Sequence, residues 1–195
     1  MILENICPGE NIPDEINVVI EIPSNSTPVK YEMDKDSGAL FVNRFTNVAM
    51  FYPCNYGFVP NTLSEDSDPV DVLVVTPVPV MSGCVITCRP IGMLKMEDEA
   101  GPDVKILAVP TYGLNTVYET VQTIHEMPGE FLSQITLFFE QYKALDPKKW
   151  VKIDGWVGPE EARKEVVQGI NRYEHVMRFK ETINPDDATI ELKLN

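Results

Sequence analysis

The residues best suited to chemistry lie in the loop Asp66-Ser67-Asp68-Pro69-Val70-Asp71, which precedes an apolar run at residues 72–75. Three carboxylates within six residues repel one another, and burying them without a partner is costly. Their natural partner is a hard divalent cation bound through oxygen, Mg²⁺ or Mn²⁺. Because a strand is predicted to begin at Asp71, this carboxylate would be held on a rigid element.

The loop has two other interpretations. Taken alone, an Asp-rich hexapeptide is more often a solvated acidic turn than a metal site. A calcium loop of the EF-hand kind does not fit, because its fifth ligand position would fall on Val70 and its glycine on Asp71. The metal interpretation therefore depends on what the rest of the chain supplies.

The composition restricts the class of protein. With 195 residues, of which 44% are hydrophobic, the chain can build one sizeable core. Its 16 Lys and Arg against 30 Asp and Glu give a formal charge of −14, which argues against a sequence-independent binder of nucleic acid. No apolar run approaches membrane-spanning length, and the first residues do not resemble a signal peptide. We therefore expect a cytoplasmic protein with neither a nucleic-acid nor a membrane partner.

The cysteines do not indicate a zinc site. Cys84 and Cys88 lie four residues apart in an apolar run, and no second Cys/His pair completes a zinc ligand set. We predict that both thiols are reduced and pack in the core. The two histidines, His125 and His175, lie far from the other motifs and are predicted to be structural or surface residues.

Short strands dominate the first part of the chain, and helices follow. Strand patterns cover residues 17–23, 29–33, 39–42, 71–76, 84–96, 104–109 and 149–153, and residues 51–58 are predicted to form an aromatic loop. One helix begins near Pro128, and a second runs from Pro159 to about Phe179. This order predicts a closed or nearly closed antiparallel β-barrel decorated by helices, an α+β fold.

Charged residues on the first two strands have two interpretations. Glu21 points away from the apolar face of its strand, and Lys30 and Glu32 share one face of the next. Such side chains usually face solvent, and they would equally suit a polar pocket.

In order and spacing, these pieces resemble the soluble family I inorganic pyrophosphatases of the bacterial type. The resemblance runs from about residue 8 to residue 175, and its most specific element is the Asp-x-Asp-Pro-x-Asp loop at residues 66–71. Matching segments also occur at residues 31–32, 51–57, 95–101, 103–105 and 142–143.

The resemblance implies a role for each matched residue in hydrolysing pyrophosphate to two orthophosphates. Asp68 would be the general base that orients and deprotonates a metal-activated water. Mg²⁺, with Mn²⁺ or Zn²⁺ as substitutes, would be held by Asp66, Asp71, Asp98 and Asp103, with Glu21 and Glu32 as ligands through water. The phosphates would be bound by Lys30, Arg44, Tyr52, Tyr56, Lys105, Tyr142 and Lys143. In the metal-free protein, repulsion among the clustered aspartates is expected to oppose folding.

The resemblance also implies an architecture and an assembly. The fold would be a five-stranded OB-type antiparallel β-barrel with two α-helices, in one domain over residues 1–178, with a C-terminal tail of uncertain order over residues 179–195. A homo-oligomer, commonly a hexamer, is implied as well, although the helix at residues 131–144 lacks the histidines expected where trimers would meet. Two rival functions remain open: a nucleic-acid-binding OB module and a metal-binding protein without catalysis.

Overall fold

Nine strands and two α-helices make up the part of the chain that the structure, a computed structural model, describes: residues 3–35, 37–114 and 117–182. The strands are β1 (Ile16–Ile22), β2 (Val29–Met33), β3 (Leu40–Phe45), β4 (Asn55–Phe58), β5 (Asp71–Val74), β6 (Val85–Asp98), β7 (Gly101–Pro102), β8 (Lys105–Pro110) and β9 (Val151–Val157). The helices are α1 (Gly129–Gln141) and α2 (Pro159–Thr182), and short 3₁₀ turns lie at Leu3–Asn5 and Ile124–Glu126.

Five strands close into a ring. Their order is β1–β4–β5–β8–β6, and β6 pairs back onto β1. This confirms the predicted five-stranded barrel with two helices. The prediction had antiparallel pairs throughout, whereas β5 and β8 are parallel. Strands β7 and β9 extend the sheet from β6, while β2 and β3 form a separate antiparallel pair.

The long strand β6 joins most of the sheet and is irregular near its middle. It pairs with β1, β7, β8 and β9, and its register against β8 shifts between Pro90 and Gly92. Proline cannot donate a ladder hydrogen bond, so an irregularity is expected there. The run at residues 84–96, predicted as one strand, therefore carries an irregularity next to Pro90.

The central strands are buried on both faces. Val72 of β5 packs in one apolar cluster with Val166 of α2, whereas its neighbour Leu73 packs in another with Phe138 of α1. Burial on both faces explains why the sequence shows continuous apolar runs here instead of an alternating pattern.

Three local predictions were wrong. The predicted aromatic loop contains β4, in which Gly57 lies so close to β1 that an added Cβ would be 2.0 Å from the Val19 carbonyl oxygen. Cys84 is exposed just before β6 begins, so of the pair Cys84 and Cys88 only Cys88 packs in the core. Arg44, expected just past the end of a strand, lies within β3.

The C-terminal helix is longer than predicted. Because α2 continues to Thr182, the first residues of the predicted tail are helical, and the rest of the tail lies outside the described residues. Asp36, which lies between β2 and β3, is likewise outside them. Over the described ranges, no helix is both long and apolar enough to cross a membrane.

Candidate active site

A polar cavity of about 340 Å³ brings the predicted site residues together. Its walls come from the first five strands, β6, β8, the aspartate loop and the C-terminal end of α1. All the side chains singled out from the sequence line it: Glu21, Lys30, Glu32, Arg44, Tyr52, Tyr56, Asp66, Asp68, Asp71, Asp98, Asp103, Lys105, Tyr142 and Lys143. Their shared location follows from the fold, while their individual roles stay predictions.

The parallel pairing of β5 with β8 creates the centre of the cavity. Asp71 begins β5 and Lys105 begins β8, and the register of Val72 with Ile106 sets these two strand starts side by side. The Lys105 ammonium donates hydrogen bonds to the carboxylates of both Asp71 and Asp103. Lys105 is only 3% exposed. Burial alone would lower its pKa, but the two carboxylates outweigh burial and raise the pKa well above its usual value.

This arrangement adds a buried counter-charge to the predicted repulsion among the aspartates. Burial, followed by the nearby Asp71 charge, raises the pKa of Asp103, while Lys105 opposes that rise. Burial also raises the pKa of Asp66. The cluster therefore contains a buried cation as well as crowded carboxylates, and Lys105 compensates part of the repulsion.

The aspartate loop turns sharply between its first two carboxylates. Ser67 has a φ of 72°, in the left-handed region, and the Asp68 backbone N–H donates to Asp66 Oδ1 at 3.0 Å. This hydrogen bond fixes the loop, and the Asp68 side chain remains exposed at the cavity.

Glu21 reaches the cavity from an irregularity in β1. Ile20 pairs with Gly57 and Ile22 with Tyr56, so the register shifts at Glu21, as in a β-bulge. The buried carboxylate accepts a hydrogen bond from the Met33 backbone N–H at 2.6 Å and lies 3.6 Å from Lys35 Nζ. Burial raises the pKa of Glu21 to about 7, and Lys35 only partly opposes this. Of the two interpretations of Glu21, the structure supports the polar pocket.

Two further carboxylates are paired with lysines. Asp98 accepts hydrogen bonds from the Lys143 ammonium and from the Ala100 backbone N–H at 2.7 Å. Burial pushes the pKa of Asp98 upward, yet these hydrogen bonds outweigh it and the pKa lies below its usual value. The pKa of Glu32 is lowered in the same way, because its hydrogen bond from Lys30 outweighs burial. Both carboxylates are therefore held ionised at neutral pH.

Known proteins similar to this chain agree on one family. The family model for inorganic pyrophosphatase matches residues 18–174. The chain belongs to the inorganic pyrophosphatase family. It is 55% identical over 172 residues to the inorganic pyrophosphatase of Vibrio vulnificus (strain YJ016). The aligned region covers 88% of this chain and 98% of the relative. This similarity places it among the bacterial members of family I.

Solved structures support the same assignment. A crystal structure of an inorganic phosphatase from Anaplasma phagocytophilum has a TM-score of 0.86 at 46% identity and covers 87% of this chain and 99% of its own. The structure of an inorganic pyrophosphatase from Coxiella burnetii has a TM-score of 0.83 at 50% identity, with coverages of 86% and 99%. The barrel with its two helices is thus the pyrophosphatase fold.

The tyrosines of the pyrophosphatase cavity are buried and pack against neighbouring aromatic rings. Tyr52 packs on Phe138 with ring centroids 4.6 Å apart, and Tyr142 packs on the same ring at 5.5 Å. Burial raises the pKa of Tyr52, Tyr56 and Tyr142. Their hydroxyl groups consequently stay protonated at neutral pH and can donate hydrogen bonds to an anion.

Three charged residues line the cavity that sequence reasoning missed: Lys35, Glu99 and Lys149. Glu99 lies 3.6 Å from Lys143 and 3.3 Å from Lys149, which extends the Asp98 ion pair towards the surface. Glu99 lies inside the matched segment at residues 95–101 and could have been found from it. Lys35 and Lys149 lie outside all the segments that resemble the family, so only the folded chain identifies them as residues of the cavity.

The donor chemistry of this pyrophosphatase cavity fits a hard divalent cation. Its carboxylates supply oxygen ligands, and among the described residues no cysteine or histidine lines it. Within the described ranges the carboxylates do not form a compact group of three, because Lys105 lies between Asp71 and Asp103. Asp66, Asp71, Asp98 and Asp103, the predicted metal ligands, all line this cavity.

Proposed function

We propose that this chain hydrolyses pyrophosphate to two orthophosphates with the help of a divalent cation, Mg²⁺ being preferred and Mn²⁺ or Zn²⁺ serving as substitutes. One observation carries the proposal: a single cavity is lined by eight carboxylates and six lysine or arginine side chains. Carboxylates suit a metal ion and cationic side chains suit phosphate, so a cavity with both suits a metal–diphosphate complex.

The carboxylates divide into direct and indirect metal ligands. Asp66, Asp71 and Asp103 would hold the metal directly, with Asp98, Glu21 and Glu32 as further ligands, the last two through water. When bound, Mg²⁺ neutralises phosphate charge and lowers the pKa of coordinated water. Lys105 would then hold its two aspartates in place from the buried side while its charge acts on the phosphates.

Asp68 is the proposed general base. Its carboxylate is exposed at the cavity, and its backbone is held by Asp66. Unlike Asp98 and Glu32, Asp68 makes no ion pair with a lysine or arginine of the described residues. A carboxylate that is positioned but unpaired can accept the proton of an attacking water.

The phosphates would be held by Arg44, Lys30, Lys143 and the hydroxyl groups of Tyr52, Tyr56 and Tyr142. The Arg44 guanidinium donates to Asn43 Oδ1 at 3.3 Å, and its planar fork can bind two phosphate oxygens at once. Positioned donors of this kind stabilise the transferring phosphoryl group and the leaving phosphate.

The remaining predictions from the sequence belong to the same proposal. We expect one catalytic domain over residues 1–178, a cytoplasmic location, no nucleic-acid or membrane partner, and a homo-oligomer that is a hexamer by resemblance. The acidic lining of the cavity disfavours the OB module for single-stranded nucleic acid, because that function needs a positively charged groove.

Phosphate release from pyrophosphate tests the proposal directly. We expect turnover with Mg²⁺ and its loss in excess EDTA, because both the water and the phosphates depend on the metal. Full activity in excess chelator would contradict the metal-dependent account. Metal binding without any phosphate release would favour the rival metal-binding protein.

A further inference from the structure

Lys35 is a cation at the cavity that no motif marks. It lies in the turn that follows β2, and its side chain is 46% exposed while still lining the cavity. Its Nζ atom lies 3.6 Å from the centroid of the Phe58 ring and 3.6 Å from Glu21 Oε1. The ring and the carboxylate together hold the ammonium over the cavity.

Lys35 differs from the deeper lysines in how its hydrogen-bond donors are used. Lys30, Lys105 and Lys143 each donate a short hydrogen bond to a carboxylate, and their side chains are 21%, 3% and 9% exposed. The distance from Lys35 to Glu21 is longer than a hydrogen bond, and a ring face takes no conventional N–H bond. Among the described residues, therefore, Lys35 keeps its donors available to an anion.

The charge of the whole chain makes such a cation useful. A formal charge of −14 repels an incoming diphosphate, so the long-range field works against substrate approach. A cation at the edge of the cavity reverses the local potential where the anion must enter, and an exposed side chain can move with it. The deeper lysines are less able to do this, because they are less exposed and each is held by a short hydrogen bond to a carboxylate.

We propose that Lys35 is a substrate-capture residue: its ammonium, held between Phe58 and Glu21, meets the pyrophosphate anion and draws it into the cavity. This inference rests on the proposed function. Capture raises the rate of productive encounter and the affinity for the anion without contributing to the chemical step. It therefore affects kcat/KM and KM, and not kcat.

Lys35→Met, which keeps an unbranched side chain of similar length, tests the inference against a matched control. Lys152→Met removes the same charge from an exposed lysine on β9 that lies 2.8 Å from Asp154 and does not line the cavity. Pyrophosphate turnover is measured at fixed Mg²⁺ while KCl rises from about 0.01 M to about 1 M, which shortens the screening length about tenfold. Binding of inorganic phosphate is measured by calorimetry as a readout independent of turnover.

We expect Lys35→Met to raise KM about three- to tenfold at low salt and to change kcat less than about twofold. Its kcat/KM should approach the wild-type value at high salt, its affinity for phosphate should fall, and Lys35→Arg should restore both. Lys152→Met should match wild type throughout.

Three outcomes would overturn the inference. The first is that Lys35→Met and Lys152→Met behave alike at every salt concentration. The second is that Lys35→Met lowers kcat with KM unchanged, which would make Lys35 a support for Glu21 in the chemical step. The third is that wild type does not hydrolyse pyrophosphate at all, which would also remove the proposed function and is thereby distinguishable from the other two.

Discussion

The buried carboxylate of Glu21 is predicted to destabilise the metal-free fold at neutral and alkaline pH. Its side chain is buried, and burial raises its pKa from 4.5 to about 7 despite the partial compensation by Lys35. The substitution Glu21→Gln removes the charge and keeps an oxygen that can accept the hydrogen bond from the Met33 backbone N–H. It therefore isolates the cost of burying the charge from the loss of a contact.

The sign and size of the effect follow from proton linkage. Because the pKa is higher in the folded state, the folded protein keeps a proton that the unfolded chain has lost between pH 4.5 and about 7. The resulting stabilisation is fully present below pH 4.5 and disappears as pH rises through about 7. A difference of this size corresponds to about 3 kcal/mol of unfolding free energy. For a chain of this length, that is about 6–12 °C in Tm.

The assay is thermal unfolding in EDTA from about pH 5 to about pH 8.5, since bound metal would itself favour ionised Glu21. Glu21→Gln should melt above wild type at the alkaline end, and the two curves should converge at the acidic end. Glu32→Gln is the control, because the pKa of Glu32 is lowered by hydrogen bonds from Lys30 and Asn43. That variant should melt no higher than wild type at alkaline pH.

Parallel pH profiles for wild type and Glu21→Gln would refute the reasoning. They would mean that the Glu21 carboxylate titrates as an exposed one does. If Glu21→Gln and Glu32→Gln raised Tm equally at alkaline pH, the cause would instead be a general relief of negative charge on a chain that carries a net charge of −14.

Three further predictions concern catalysis and metal binding. Asp68→Asn should lower kcat, measured as phosphate release, by roughly 10²- to 10⁴-fold and should keep the rise in Tm that Mg²⁺ induces. If the variant lost both its turnover and its Mg²⁺-induced rise in Tm, the general-base role of Asp68 would be contradicted. Lys105→Met should cost about 3 kcal/mol in denaturant unfolding in EDTA, because it leaves Asp71 and Asp103 without their buried partner; an unchanged midpoint would show that the pair contributes nothing. Mg²⁺ at a hundredfold excess over Kd should stabilise wild type by about 2.7 kcal/mol in thermal melts, and Na⁺ at equal ionic strength should do much less.

The sequence predicts well those parts of the site that depend on local pattern. The aspartate loop, the strand that begins at Asp71 and the two helices all carry short-range signals in residue type and spacing. The closed barrel followed from the number and order of the strands, although its parallel pair did not. The family resemblance then brought distant residues such as Arg44 and Tyr142 into one predicted site, and the fold places both at the cavity.

What the sequence could not predict depends on contacts between distant segments. The alternating pattern of β1 predicted the face of the strand on which Glu21 lies. Only the folded chain, with its register shift in β1, shows that this face meets the cavity. The sequence predicted repulsion among the aspartates but not their pairing with the Lys105 ammonium, because residue spacing does not reveal that β5 and β8 start side by side. Lys35 stayed unnoticed because its partners, Phe58 and Glu21, are distant in sequence.

The buried ammonium of Lys105 supplies the aspartates with a counter-ion that is part of the chain itself. If the proposed metal-dependent function holds, the barrel would need no cation from solution to offset these charges while it folds, and metal binding would be a later and separate event. Loading would then be an exchange, in which Asp71 and Asp103 turn part of their charge from an ammonium towards a dication. Under this scheme, a cell short of magnesium would accumulate folded but idle protein, ready to be activated when the ion returns.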